Sequence, residues 1–165
     1  MIEWDSEVKQ EHDDLDAQVK LLEQALAGKN GPQARWGALS HLVIRSLGPH
    51  LELHLRKEEQ VLFPALEKLS GGEIEKVRKL VEQHQQLRAA LRQLADHLSA
   101  PRREDVNWQQ VSEAGEKFMW ALGEHERQEE HVLKDILEAS LKPRELMKLA
   151  QGFHQVVWRA FQEEL

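Results

Sequence analysis

The 165-residue chain has no cysteine and no tyrosine, and only 5% of it is aromatic. Without cysteine there is no disulfide, no thiolate zinc site, no thiol nucleophile and no cysteine-ligated iron–sulfur cluster. Without tyrosine there is no phenolate ligand and no tyrosyl radical. Positive charge is also short. The 22 Lys and Arg face 29 Asp and Glu, and the net charge of −7 argues against a nucleic-acid partner, which wants a basic face. No apolar run approaches the ~20 residues that span a bilayer, so no membrane partner is expected. The N-terminal stretch Met1–Asp14 is charged and amphipathic and reads as neither a signal nor a transit peptide, so a cytoplasmic protein is expected. What the chain does have is nine histidines, and a hydrophobic share of 41% that can bury the core of one domain. Imidazole, carboxylate and hydroxyl remain for chemistry.

The apolar periodicity is helical nearly throughout. Trp4, Val8, Leu15, Val19, Leu22 and Leu26 form one stripe and predict a first helix over about residues 3–28, stopped by Gly28, Asn30, Gly31 and Pro32. A second, long helix is expected over about 33–69, kinked or broken at Gly48-Pro49 and perturbed again at Pro64. Gly71-Gly72 close it, and a third follows over about 73–98. After a loop at 99–104, a fourth is expected over about 105–140. Pro143 opens a fifth, over about 144–164, with a stripe at Leu146, Leu149, Phe153, Val156 and Val157. Short connections between long amphipathic helices predict an all-α fold, an up-down-up-down antiparallel four-helix bundle with an additional C-terminal helix. Residues 1–140 would form the bundle. Residues 141–165 would be an accessory helix that packs across it or mediates a homodimer.

The chain also repeats itself. His54-Leu-Arg-Lys-Glu58-Glu59-Gln-Val61-Leu62 returns as His125-Glu-Arg-Gln-Glu129-Glu130-His-Val132-Leu133, 71 residues on. His12, Leu15, Val19 and Leu22 return as His84, Leu87, Leu91 and Leu94, 72 residues on. Each half is therefore a helical hairpin with one His on its first helix and His-x-x-x-Glu on its second.

All of these polar residues fall on the core stripes. His12 continues Trp4 and Val8 toward Leu15, and His84 lies between Leu80 and Leu87. His54 and Glu58 lie between Leu51 and Val61, and His125 and Glu129 between Leu122 and Val132. Residues i and i+4 share a helix face, so four imidazoles and two carboxylates point inward at compatible levels. Buried carboxylates without a positive partner cost several kcal/mol each. The nearest base, Arg88, sits at the edge of the His84 face and could pair with only one. A cation must supply the charge, and this ligand set suits two ions better than one. Imidazole with carboxylate and no sulfur fits iron, zinc or manganese and disfavours magnesium and calcium. Inward His and Glu on facing helices of a bundle are a di-iron arrangement.

The pattern His12, His54-x-x-x-Glu58, His84, His125-x-x-x-Glu129 resembles the hemerythrin-like (HHE cation-binding) family. The phrase Glu58-Glu59-Gln-Val-Leu-Phe-Pro64 is similar to that family's Glu-Glu-x-x-Leu-Phe-Pro signature. The likeness covers residues 8–139. In the second half Leu133-Lys134-Asp135 replaces Leu-Phe-Pro. The resemblance implies a non-haem centre of two iron ions, with Glu58 and Glu129 bridging, the histidines as terminal ligands and an oxo or hydroxo bridge; zinc and manganese rank behind iron. It implies a small diatomic ligand, O₂ or NO, bound or sensed, or iron handled under oxidative or nitrosative stress. Oxygen-carrying members have a fifth His four residues after the third-helix His, where this chain has Arg88. The four-His, two-Glu set is closer to the stress proteins that repair iron–sulfur clusters, whose additional Cys-containing segment is not present here.

Two other classes fit the same residues. One is a di-iron enzyme, peroxidase-like or oxidase-like, or an iron donor for cluster repair. It would need buried acid–base groups beyond the ligands, and His50 is the one candidate. The other is an interaction module whose metal only holds the bundle together. Glu59 and Glu130 read as solvated or outer-sphere, Arg56 and Arg127 as surface ion pairs, and His41, His97, His131 and His154 as surface, boundary or packing residues. Trp36, Trp108, Trp120 and Trp158 read as core or interface.

Overall fold

A computed structural model describes residues 3–27, 35–69, 74–140 and 143–163. Five helices account for almost all of them: α1 (Glu3–Leu26), α2 (residues 36–69), α3 (Ile74–Leu98), α4 (Trp108–Ser140) and α5 (Pro143–Glu163). The stop expected at Gly28, Asn30, Gly31 and Pro32 and the closure at Gly71-Gly72 lie outside the described residues, as do the side chains of Trp4, Ile136 and Leu146. The connection from α3 to α4 holds one 3₁₀ turn, Arg103–Asp105, and Asn107 caps α4 by accepting a hydrogen bond from the Gln110 amide at 3.2 Å.

The second helix departs from the expected kinks. Its regular stretches Trp36–His41, Gly48–Lys57 and Phe63–Leu69 are joined by two wide, π-helical turns, Leu42–Leu47 and Glu58–Leu62. Each wide turn ends two residues before a proline, Pro49 and Pro64. A proline in a regular helix collides with the carbonyl four residues back and cannot bond to it. Widening the preceding turn moves that carbonyl aside, so the helix continues past Pro49, where a kink or break was expected, and the perturbation expected at Pro64 takes the form of a wide turn.

Side-chain contacts fix the topology. Glu11 and Gln18 of α1 meet His54 and His50 of α2. Trp36 at the start of α2 donates to the Leu98 carbonyl at the end of α3, and Glu59 further along α2 meets His84. Along α1 and α4, His12 faces Glu129 while Leu26 abuts Gly115. Neighbours run antiparallel, and the fold is the expected all-α bundle. A Cβ on Gly115 would fall 2.5 Å from a Leu26 methyl, so glycine lets α1 and α4 close together there.

The apolar core is split in two. One cluster, including Leu15, Leu22, Leu47, Leu51, Leu87, Leu91, Phe118 and Leu122, fills one end of the bundle. Another, with Val8, Leu62, Phe63, Leu66, Val77, Leu80 and Val132, fills the other end and takes in Leu149 and Phe153 of α5. Each fully buried Leu or Phe side chain contributes about 1.5–3 kcal/mol. Of the stripe expected on the fifth helix, Leu149, Phe153 and Val156 are buried while Val157 is exposed. Trp120 and Trp158, expected in core or interface, are exposed. Between the clusters lies a polar layer.

Candidate metal centre

The six residues that interrupt the apolar stripes meet in that layer. His54, Glu58, His84, His125 and Glu129 are buried to within 1% of full enclosure, and His12 keeps 19% of its side-chain surface. His12 Nε2 lies 3.1 Å from Glu129 Oε2, His54 Nε2 3.1 Å from Glu58 Oε1, and His84 Nε2 3.0 Å from Glu58 Oε2. His125 Nε2 is 3.7 Å from the same Glu58 oxygen. These separations are short, yet none has hydrogen-bond alignment. All four Nε2 atoms and all four carboxylate oxygens of Glu58 and Glu129 are buried without a hydrogen-bond partner. Orphaned acceptors and lone pairs cost about 1–3 kcal/mol each, so a cluster of them in one place calls for a cation.

They divide into two groups small enough to hold an ion each: His12, His54, Glu58 and Glu129, and Glu58, His84 and His125. Glu58 belongs to both, with one oxygen facing each group. Glu129 lies with the His12 group, because its carboxylate turns toward the His12 nitrogen. The donor set therefore fits two ions, four donors gathering on one side and three on the other.

Electrostatics agree with that fit. Burial pushes the Glu58 carboxyl well above the ordinary range, and the neighbouring Glu129 charge pushes the same way. Burial raises Glu129 too, but the His12 contact and the charges of His12, His54 and His125 together bring it down to about 2. Burial drives His125 down to about 3 and lowers His84 against the pull of Glu59, so both imidazoles are neutral and able to ligate. Burial lowers His12 as well, but the Glu129 contact outweighs it and the net shift is upward.

Among the described residues, no Lys or Arg pairs with the two carboxylates. Arg88 does not reach them: it donates to Glu52 at 2.8 Å and to Glu59 at 2.6 Å, and Glu59 also accepts from His84 Nδ1 at 2.8 Å. Lys57, 5% exposed, is paired with Glu11, which accepts from His54 Nδ1 at 3.0 Å. Its ammonium also stands 5.9 Å from the Phe153 ring centroid. On the opposite hairpin His125 Nδ1 meets Gln83 Oε1 at 3.3 Å, and Gln83 Nε2 donates to Gln128 Oε1 at 2.9 Å. Gln128 in turn donates to Glu124. A carboxylate only accepts, so Glu124 orients both amides and leaves the proton of His125 on Nδ1. Outer partners of this kind leave the inward Nε2 atoms free to take a cation.

The repeat extends to this outer layer. Glu11 and Gln83 each precede the first-helix His of their hairpin, and Lys57 and Gln128 each precede its Glu. The chain Lys57–Glu11–His54 and the chain Gln128–Gln83–His125 occupy equivalent places, one charged and one neutral. Sequence reading missed these four residues, although the 71–72-residue offset that paired the candidate ligands also pairs them. Glu59 is outer-sphere as expected, and Arg56 and Arg127 pair with Glu52 and Glu124. His50 stands outside both groups, its Nδ1 accepting from Gln18 at 2.7 Å. His41, His131 and His154 are exposed and His97 half-buried. Glu126 was not foreseen: it is half-buried with one unpartnered oxygen in the field of His12, and burial pushes it up to about 7.

The family model for the hemerythrin HHE cation-binding domain matches residues 5–137, and again residues 75–163, a second register that falls on the duplicated half. No curated protein and no solved structure matches the chain. With four fifths of its length under that match and the His and Glu pattern gathered in one buried layer, the chain belongs to the hemerythrin HHE cation-binding family.

Proposed function

We propose that the protein is a non-haem di-iron protein that binds or senses a small diatomic molecule, O₂ or NO, in the cytoplasm under oxidative or nitrosative stress. The observation that carries this reading is the convergence of four Nε2 atoms and four carboxylate oxygens, buried and without hydrogen-bond partners. His12, His54 and Glu129 would hold one ion, His84 and His125 the other, and Glu58 both. Two iron ions supply reversible one-electron chemistry and open positions for a diatomic ligand. The chain's own contribution is positional. Glu11, Glu59 and Gln83 hold three imidazoles with Nε2 inward, and the apolar clusters on either side of the layer keep bulk water away.

Metal analysis of the purified protein is expected to give about two irons per chain. The visible spectrum should change when the reduced protein meets O₂ or NO. The His54→Ala/Glu129→Ala variant should lose the metal while keeping its helical content. Zinc alone with no spectral response to either gas would refute the proposal in favour of a structural metal. A second reading, peroxide turnover, gains support from Glu126, a protonatable group beside His12. Steady peroxide consumption that Glu126→Gln abolishes at unchanged iron content would establish it.

A further inference from the structure

Outside the metal layer, a groove of about 500 Å³ lies between the later part of α2 and α5, within the range of small-molecule sites. Its floor is apolar: Val61, Pro64, Ala65, Leu149 and Val156, with Gly152 between the last two. At Gly152 the α5 backbone comes close to α2, since a Cβ there would fall 2.6 Å from Val61 Cγ1. Its polar lining is one-sided. Lys68 comes from α2 and Lys148 and Arg159 from α5, with Gln60 and Gln155 beside them and no acidic residue among the described lining residues. None of the three cations is paired with a carboxylate among the described residues. That is unusual in a chain of net charge −7, where Arg56, Arg88 and Arg127 all have carboxylate partners.

We propose that this groove binds a small anionic amphiphile, a medium-chain fatty carboxylate, with its alkyl body on the Val61–Ala65–Val156 floor and its head group among Lys68, Lys148 and Arg159. The charge pattern selects this occupant. An uncharged lipid would leave the cations unused, and a bare anion would leave the apolar floor wet. The groove also adjoins the metal layer along the chain, because Gln60 and Val61 belong to the wide turn that begins at Glu58.

The test is titration of the metal-loaded, full-length protein with decanoate below its micelle concentration, followed by calorimetry and by amide NMR shifts. Saturable binding is expected, with shifts centred on Gln60, Val61, Gly152 and Val156. Acetate and decanol should each bind at least about tenfold more weakly, as each keeps only half of the recognition. The Lys148→Glu/Arg159→Glu variant reverses two exposed charges and should weaken decanoate by at least about tenfold, with the helical spectrum and iron content unchanged. Ala65→Phe, which fills the floor but keeps every charge, should weaken it too. Equal affinity of the charge-reversed variant overturns the proposal, and so does equal binding of decanol, which would mean a merely greasy surface. Shifts that map away from the groove, or an absence of saturable binding, overturn it as well. A concentration-dependent dimer that buries these residues would also overturn it, since the groove would then belong to a second copy of the chain.

Discussion

Lys57 is the most informative residue to change. It is an almost fully buried ammonium whose partner Glu11 is itself largely enclosed, with 16% of its side-chain surface exposed. Removing one member of a buried pair strands the other charge, which costs about 3–5 kcal/mol when the pair is fully enclosed. Because Glu11 keeps some solvent, Lys57→Met should destabilise the metal-free protein by about 2–3 kcal/mol. Methionine retains the apolar stem that packs toward Phe153, so little of this loss comes from packing. The opposite hairpin shows that a neutral version can be built at the equivalent place, with Gln128, Gln83 and His125 in one hydrogen-bonded chain. The double variant Glu11→Gln/Lys57→Gln copies that arrangement and should cost no more than about 1 kcal/mol, since it removes both charges of the pair together. Urea unfolding of the metal-free single and double variants measures the difference. A companion titration against a chelator should show Glu11→Leu losing about 10–100-fold in metal affinity, and Glu11→Gln, which still accepts from His54, losing less. The reasoning fails if Lys57→Met costs the same as the double variant within about 0.5 kcal/mol.

Glu58→Gln should separate folding from ligation. Two buried carboxylates repel each other without a cation, so the metal-free variant should unfold at higher urea than the parent, while its metal content falls to one ion per chain or fewer. Glu126→Gln should give a pH-dependent gain. Burial raises Glu126 to about 7 in the folded protein, so its proton is bound more tightly there than in the unfolded chain. Stability is therefore lost as pH rises from the unfolded value through about 7, and the metal-free variant should gain up to about 2 kcal/mol at pH 8 and nothing near pH 4. Gly152→Ala would press a Cβ to 2.6 Å from the Val61 methyl. Overpacking against a stiff β-branched side chain costs about 1–3 kcal/mol and the gain in helix propensity returns about 1, so thermal unfolding should show a net loss of about 1 kcal/mol.

The fold and the inner ring of the site were legible because both rest on one signal, the helical period. His12, His54, Glu58, His84, His125 and Glu129 stood out as polar interruptions of apolar stripes, and the structure brings all six into one layer. The outer ring was not legible by that signal. Glu11 and Gln83 each stand one residue before a histidine, and Lys57 and Gln128 one residue before a glutamate, about 100° round the helix from it. Period alone does not say which helix lies across from that face. Lys57 shows the difficulty most clearly. A lysine beside a glutamate reads as solvated, yet it is buried, with Glu11 paired to it and the Phe153 ring of α5 lying 5.9 Å from its ammonium. The prolines of α2 marked where the helix is disturbed but not the form the disturbance takes. Pro49 and Pro64 do oppose a regular helix, but two wide turns absorb the conflict without a break.

The duplicated hairpins also bear on where a small molecule would meet the centre. Their inner residues correspond one for one, yet four donors gather around His12 and His54 and three around His84 and His125. A two-ion centre in these groups would have more open coordination on the three-donor side. That is the side where Arg88, at the position where the resemblance sets a fifth histidine, is turned away by Glu52 and Glu59. The same Glu59 accepts from His84 Nδ1, so the arginine bears on the His84 ring through one carboxylate. Arg88→Ala would free Glu59 and should alter the centre through His84 while leaving iron content near two per chain. Arg88→His would instead place an imidazole at that position, and a metal spectrum that changes further in the histidine variant than in the alanine variant would locate the open position beside α3.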